Sequence, residues 1–356
     1  MRVLITGGAG FLGSHVADEL LAAGYTVRAL DSLIGQVHDG GRPTYLAPEV
    51  ELVESDVRDA EAVARALDGC GAVVHFAARV GVGQSMYEVA EYTSVNDFGT
   101  AVLLEALASR PVERLVVASS MSVYGEGAYT GGREVARTRA QLERGEFEPG
   151  PEPLPTPETK AVALASIYAL TKYQQERACL IAGEAYGIPA VPLRFFNVYG
   201  PRQALSNPYT GVLAIFASRL LNGKPPLIYE DGLQRRDFVS VHDVARATRL
   251  ALETGGADGQ VVNVGSGTSV TVRELAEKLA SVLGVEIAPE TTGAYRVGDI
   301  RHCFADITLA RELLGYEPRV GLEAGMVELA QWLATQSAED HVEAAQDELT
   351  RRGLRF

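Results

Sequence analysis

Two short stretches of the chain carry residue types able to do chemistry together. The first, Thr6-Gly7-Gly8-Ala9-Gly10-Phe11-Leu12-Gly13, directly follows the apolar run Val3-Leu4-Ile5. Glycines 7, 10 and 13 at that spacing form a phosphate cradle. They permit a tight turn, close approach of a pyrophosphate to the backbone, and close packing of helix on strand. The helix N-terminus that follows supplies free amides and a favourable dipole. The second stretch, Tyr168-Ala169-Leu170-Thr171-Lys172, sets a phenol and an ammonium on one helical face. The ammonium favours the phenolate and lowers the phenol pKa, making Tyr168 a base, while Lys172 can also hold a nicotinamide ribose. Ser119-Ser120-Met121-Ser122-Val123-Tyr124-Gly125 adds hydroxyls at the carboxyl end of a strand, where open α/β sheets bind ligands. Taken singly, these would be a structural glycine turn and an exposed Tyr–Lys pair. Together they point to an enzyme that holds a nicotinamide dinucleotide and moves hydride and proton in concert.

Asp31 ends the second apolar run. A carboxylate there accepts hydrogen bonds from the adenosine ribose and repels a 2′-phosphate, so NAD is expected over NADP; a turn or helix cap is its structural alternative. Asp56-Val57 suits the adenine edge, and Phe76-Ala77-Ala78 suits close passage of the cofactor.

The elements that must position these residues alternate. Strands are predicted at Arg2-Ile5, Thr26-Leu30, Glu51-Glu54, Ala72-Phe76, Leu115-Ala118 and Ala190-Leu193, with amphipathic helical segments between. That alternation predicts an α/β fold: a doubly wound, Rossmann-like parallel sheet. Residues 1–199 and 237–262 are assigned to it, 200–236 and 263–337 to a smaller α+β substrate lobe, and 338–356 to a charged tail. Residues 126–165 stand apart, dense in charge and then in proline. So long a loop is read as a lid that closes over the substrate or as a solvated face.

A net charge of -14 argues against nucleic-acid or anionic-membrane partners. Cys70, Cys179 and Cys303 lie far apart, so no metal site or disulfide is expected. Met1-Arg2 leads straight into a strand and no apolar stretch is long enough to span a bilayer, so a soluble, cytoplasmic protein is expected.

Further motifs extend the pattern: His75-Phe76-Ala77-Ala78, Asn96-Asp97-Phe98-Gly99-Thr100, Arg194-Phe195-Phe196-Asn197-Val198-Tyr199-Gly200-Pro201-Arg202, Gln234-Arg235-Arg236-Asp237-Phe238 and Gly298-Asp299. Over nearly its whole length the chain resembles the extended short-chain dehydrogenase/reductases, specifically the nucleotide-sugar epimerase/dehydratase family. The resemblance implies a catalytic triad of Ser120, Tyr168 and Lys172, with Ser120 on the sugar oxygen that becomes a ketone. It implies that NAD contacts Gly7, Gly10, Phe11, Leu12, Gly13, Asp31, Asp56, Val57, Phe76, Ala77, Ala78, Asn96, Tyr168 and Lys172, Asn96 also bracing the active-site helix. A nucleoside-diphosphate sugar would meet Ser120, Ser122, Tyr168, Asn197, Gln234, Arg236, Arg296 and Asp299. In that reading the arginines hold phosphate, as guanidinium–phosphate pairing favours, and Asp299 holds the nucleotide ribose.

Dehydratases of this kind carry Asp-Glu after the catalytic threonine, and the uronic-acid decarboxylases a glutamate at the position of Ser122. Met121 and Ser122 can do neither job, so the resemblance favours 4-epimerisation, with a 4-ketoreductase as rival. Val80–Tyr87, Ala204–Gly211 and the 126–165 insertion resemble the dTDP-L-rhamnose 4-epimerase branch, which implies dTDP-L-rhamnose and dTDP-6-deoxy-L-talose; close relatives accept UDP-hexoses or UDP-glucuronate. The family also implies a homodimer built from the helices near Tyr87–Ser109 and Tyr168–Tyr186, with Leu103, Leu104, Leu107, Leu180 and Ile181 either at that interface or in the core.

Overall fold

Seven apolar runs become the strands of one parallel sheet: β1 (Arg2–Thr6), β2 (Thr26–Asp31), β3 (Glu51–Glu54), β4 (Ala72–His75), β5 (Arg114–Ser120), β6 (Ala190–Phe195) and β7 (Val262–Val264). In this computed structural model, which describes residues 1–38, 40–132, 135–148, 150–204, 211–296, 298–336 and 342–356, their order is β7-β6-β5-β4-β1-β2-β3. The order reverses beside β1, opening the crevice at the carboxyl ends of β1 and β4 where such sheets bind ligands.

Strand alternation feeds two cores. Val3 and Ile5 face one side with Val116, Val191 and Leu193, covered by α1 (Phe11–Ala22) and α6 (Val241–Glu253). Leu4, Val73, Leu115 and Val117 face the other, covered by α2 (Ala60–Leu67), α3 (Gly99–Ser109) and α4 (Ile167–Tyr186). A third core joins α5 (Val212–Leu221), α7 (Val272–Leu283) and α9 (Leu322–Leu333) in the lobe through Phe216, Leu279 and Leu329.

Three boundaries differ from the sequence reading. The sheet's last strand runs to Val264, past the expected 262. Helix α8 (Thr308–Leu314), assigned to the lobe, packs on the sheet because Ile307, Ala310 and Leu314 supply it with apolar contacts there. The expected charged tail contains a helix, α10 (Val342–Arg351), with Val342, Ala345 and Leu349 buried on one side.

The 126–165 insertion is a strap along the seam between sheet and lobe. Ala128–Tyr129 pairs with Pro153–Leu154, Thr156 bridges to Ala305, and Lys160 Nζ donates to the Tyr124 carbonyl. Among its described residues, Arg137 is buried against Glu126 and Glu230, and Arg301 of the lobe is buried against Glu230, Asp231 and the strap's Glu148. No described residue of the strap between 126 and 165 lines the cleft, so the lid reading is replaced by that of a brace. Among the described residues no helix is long and apolar enough to cross a membrane.

Candidate active site

The glycine loop joins β1 to α1 in the crevice. Gly7 has φ +70°, and a Cβ on it would lie 2.9 Å from the Ala77 amide; one on Gly13 would lie 2.2 Å from the Gly7 carbonyl. Neither position tolerates a side chain. Gly10 differs, since a Cβ there would meet only the Gly7 carbonyl at 3.4 Å. The protein's own packing does not demand glycine at that point, whereas a pyrophosphate seated on the helix end does. Helix α1 starts at Gly10 without a side-chain cap, which leaves its first amides for an anion. Asp31 accepts from the Ala9 and Leu33 amides at 2.9 and 3.0 Å, so it caps the turn and faces the cleft at once. Asp56, gripped by Arg58 at 2.9 and 2.7 Å, is held below its ordinary pKa by that hydrogen bonding. These residues fit a dinucleotide.

Tyr168 and Lys172 sit one turn apart near the start of α4, whose N-cap Ser166 accepts the Ala169 amide at 3.1 Å. Burial pushes the Tyr168 phenol above its ordinary value, and hydrogen bonding with Ser120 offsets part of that rise. Lys172 does not lower it, contrary to the expectation from spacing. Its Nζ donates instead to Gln175 Oε1 at 2.6 Å, and burial brings the amine down to about 8.

Gln175 opens a buried chain of hydrogen bonds that the sequence motifs did not reveal. Its Nε2 donates to Thr100 Oγ1 at 2.8 Å; His75 Nε2 lies 2.9 Å from the same oxygen, and His75 Nδ1 lies 2.7 Å from Thr6 Oγ1. Thr6 Oγ1 already accepts the Phe76 and Ala77 amides, each at 3.2 Å, so its own proton goes to Nδ1 and His75 carries its proton on Nε2. That tautomer is neutral, in keeping with burial and the nearby Lys172, which hold the imidazole down at about 3. The chain therefore ties the glycine loop to the Lys172 ammonium. Thr100→Val would leave His75 and Gln175 donating to a methyl group. We expect it to destabilise the fold by about 3 kcal/mol in urea denaturation.

Asn96 is buried outside the cleft wall, which corrects its assignment to the cofactor surface. A π-helical segment, Thr93–Phe98, turns it toward α4, where Nδ2 donates to Thr171 Oγ1 at 2.9 Å and Oδ1 accepts the Arg79 amide at 2.7 Å. It braces α4 directly. One turn beyond Lys172, Glu176 is fully buried, accepts from Ser119 Oγ at 2.7 Å and grips Arg194 at 2.9 and 2.7 Å. Strand alternation thus turns Ser119 toward α4 and Ser120 toward the cleft.

The cleft, about 600 Å³, runs from the glycine loop past Tyr168 into the lobe. It brings together every other residue singled out from sequence: Gly7, Gly10, Phe11, Leu12, Gly13, Asp31, Asp56, Val57, Phe76, Ala77, Ala78, Ser120, Ser122, Tyr168, Lys172, Asn197, Gln234, Arg236, Arg296 and Asp299. Asn197 Oδ1 and Gln234 Oε1 are buried there without a hydrogen-bond partner among the described residues. Arg296 lies 3.1 Å from Asp299, and Arg236 lies 3.9 Å from the same carboxylate while donating to the Arg301 carbonyl at 2.9 Å. Burial would raise the Asp299 pKa, but the two arginines outweigh it and hold the carboxyl below its ordinary value. Two guanidiniums share one carboxylate, so this end of the cleft keeps a positive excess. Residues 205–210 of the expected sugar-side stretch lie outside the described residues. The sequence reading missed the face of α10 that lines the cleft, although its apolar spacing was visible.

A nicotinamide dinucleotide is what this combination of cradle and proton-transfer pair accommodates, which places the chain among the dinucleotide-dependent enzymes. The family model described as the NAD dependent epimerase/dehydratase family matches residues 3–265. The chain belongs to that family and uses NAD. It is 37% identical over 348 residues to the dTDP-L-rhamnose 4-epimerase of Burkholderia thailandensis, covering 94% of this chain and 95% of that protein. Among solved structures it resembles the UDP-glucose 4-epimerase of Thermotoga maritima with UDP-glucose, at TM-score 0.80 and 33% identity, covering 94% of this chain and 99% of that one. The Thermus thermophilus UDP-glucose 4-epimerase in complex with NAD matches at TM-score 0.77 and 33% identity, with the same coverage.

Proposed function

We propose that the chain is a nucleotide-sugar 4-epimerase whose substrate pair is dTDP-L-rhamnose and dTDP-6-deoxy-L-talose. The observation that carries the reaction is the composition of the wall around Tyr168. Next to Ser120 that wall carries the buried Met121 thioether and Ser122, whose hydroxyl accepts from Ser120 at 3.2 Å. Neither Met121 nor Ser122 is a carboxylic acid that could eliminate water. Oxidation and re-reduction at one carbon need none.

Bound NAD supplies the hydride acceptor and donor for that chemistry. Ser120 holds the 4-oxygen and Tyr168 takes its proton, then returns it when the configuration is inverted. Lys172, an ammonium below its pKa of about 8, lines the cleft one helical turn from Tyr168 and would hold the nicotinamide ribose. Arg236 and Arg296 grip the diphosphate while the sugar turns about its link to it, and Asn197 and Gln234 offer their unpartnered carbonyl oxygens to the sugar nucleotide.

The Burkholderia relative supports the deoxysugar, and the two UDP-glucose 4-epimerase structures favour a UDP-hexose as the second reading. Phe98, Leu170 and Ile181 are exposed along the Thr93–Phe98 segment and α4, which supports a homodimer paired through that face; Leu103 and Leu107 belong to the core instead. Three free thiols suit the reducing cytoplasm, where we place the enzyme. The test is to incubate purified protein, without added cofactor, with dTDP-L-rhamnose, UDP-glucose, UDP-glucuronate and UDP-N-acetylglucosamine, following the sugar protons by NMR. Interconversion of the rhamnose pair alone is expected. Turnover of a UDP-hexose instead would replace the substrate, and net NADH formation would replace the reaction.

A further inference from the structure

We propose that Gln346, on helix α10, reads the nucleobase of the sugar nucleotide; the inference rests on the nucleotide-sugar reading above. Val342, Ala345, Gln346 and Leu349 fall at i, i+3, i+4 and i+7, hence on one helical face, and that face lines the cleft. Glu343, Asp347 and Arg351 point away from it and are exposed.

The helix is fixed across the cleft mouth at both ends. Near its start, Glu343 pairs with Arg219 and Lys224 at 3.5 and 3.3 Å, beside the end of α5. At its finish, Gly353 takes φ +69° and the Leu354 amide donates back to the Leu349 carbonyl at 2.9 Å, closing the helix. The last residue is anchored in turn. Phe356 and Tyr295 exchange backbone hydrogen bonds of 3.0 and 2.9 Å, and their rings stack at 5.6 Å. Leu349 and Leu354 then close a small gap beside Met86 and the Arg296–Asp299 pair.

This placement assigns the helix to the nucleoside. The diphosphate belongs at Arg236 and Arg296, so the base lies beyond them, on the side away from Tyr168. There the walls include Phe216 and Leu227, apolar and aromatic surfaces suited to the faces of a flat ring. Gln346 is half-buried, and its carboxamide has no hydrogen-bond partner among the described residues. A carboxamide offers one acceptor and two donors side by side. The imide edge of uracil or thymine presents the complement, an N–H next to a carbonyl.

Calorimetric titration of the full chain with UDP, dTDP and inorganic pyrophosphate separates the alternatives. For Gln346→Leu we expect about tenfold weaker binding of UDP and dTDP, as loss of a paired amide edge implies, with pyrophosphate affinity and NAD content unchanged. Equal weakening of pyrophosphate would mean that the substitution disturbs the site generally, and overturns the inference. Unchanged UDP and dTDP affinity overturns it as well. Failure of the unaltered chain to bind either nucleotide would remove the nucleotide-sugar reading itself.

Discussion

Tyr168→Phe is expected to lower kcat by about 10³-fold, the usual scale for losing a positioned acid–base group. The variant should leave the thermal transition and the NAD content of the purified protein unchanged. The phenol donates to no protein group on which the fold depends; the Tyr168 backbone amide, which donates to Ser85 Oγ at 3.0 Å, is untouched by the substitution. Removing the oxygen leaves Ser120 holding the sugar 4-oxygen with no base beside it to take that oxygen's proton. Stopped-flow or NMR progress curves on the variant measure this directly. A fall of less than tenfold would show that another group moves the proton. A second prediction concerns pH. Burial holds the phenol high while Ser120 opposes it, so the activity of the unaltered enzyme should rise with pH toward the range where the phenolate forms.

Glu176→Gln is expected to cost about 3–5 kcal/mol of stability, the largest single loss foreseen for this chain. Glu176 is 1% exposed and Arg194 is 5% exposed, so neither charge reaches water when its partner is lost. Arg194 would keep at most one neutral amide oxygen and the face of the Tyr124 ring, 4.7 Å away, which together are worth less than a carboxylate. The pair joins α4, which carries Tyr168 and Lys172, to β6, next to the strand that ends in Ser120. Damage to it should therefore lower kcat as well as the urea midpoint. Combining Glu176→Gln with Arg194→Met should restore part of the stability, because the second change removes the stranded cation. A single-variant loss below about 1 kcal/mol would mean that the guanidinium finds another partner or water.

The fold and the site were legible in the sequence to different depths. Strands such as Val3-Leu4-Ile5 and Val73-Val74 read clearly because β-branched runs stop at glycine, aspartate or alanine turns, and local composition settles them. The cradle read for the same reason: its geometry is fixed by neighbouring residues. What escaped is what depends on contacts distant in sequence. His75 and Gln175 lie 100 positions apart and meet only in the folded chain, so neither spacing nor residue type announced the chain from Thr6 to Lys172. The insertion misled because charge density suggested solvent, whereas Arg137 and Glu148 find buried partners on the lobe. Helix α10 misled in the opposite way. Glu343, Asp347, Glu348 and Arg351 dominate its composition and disguise an apolar face at helical spacing. Attention to periodicity rather than charge would have found it.

In 4-epimerisation by this site, hydrogen leaves carbon 4 of the sugar and returns to the same carbon on the other face, a path that isotopic labelling follows. It is tested most directly with the dTDP-sugar deuterated at carbon 4, in light water, with product analysed by NMR and mass spectrometry. Deuterium should be fully retained at carbon 4 of the inverted sugar, with none lost to solvent. Washout of the label, or solvent hydrogen gained at carbon 3 or 5 when the reaction is run in heavy water, would contradict it and point to inversion through proton abstraction from carbon.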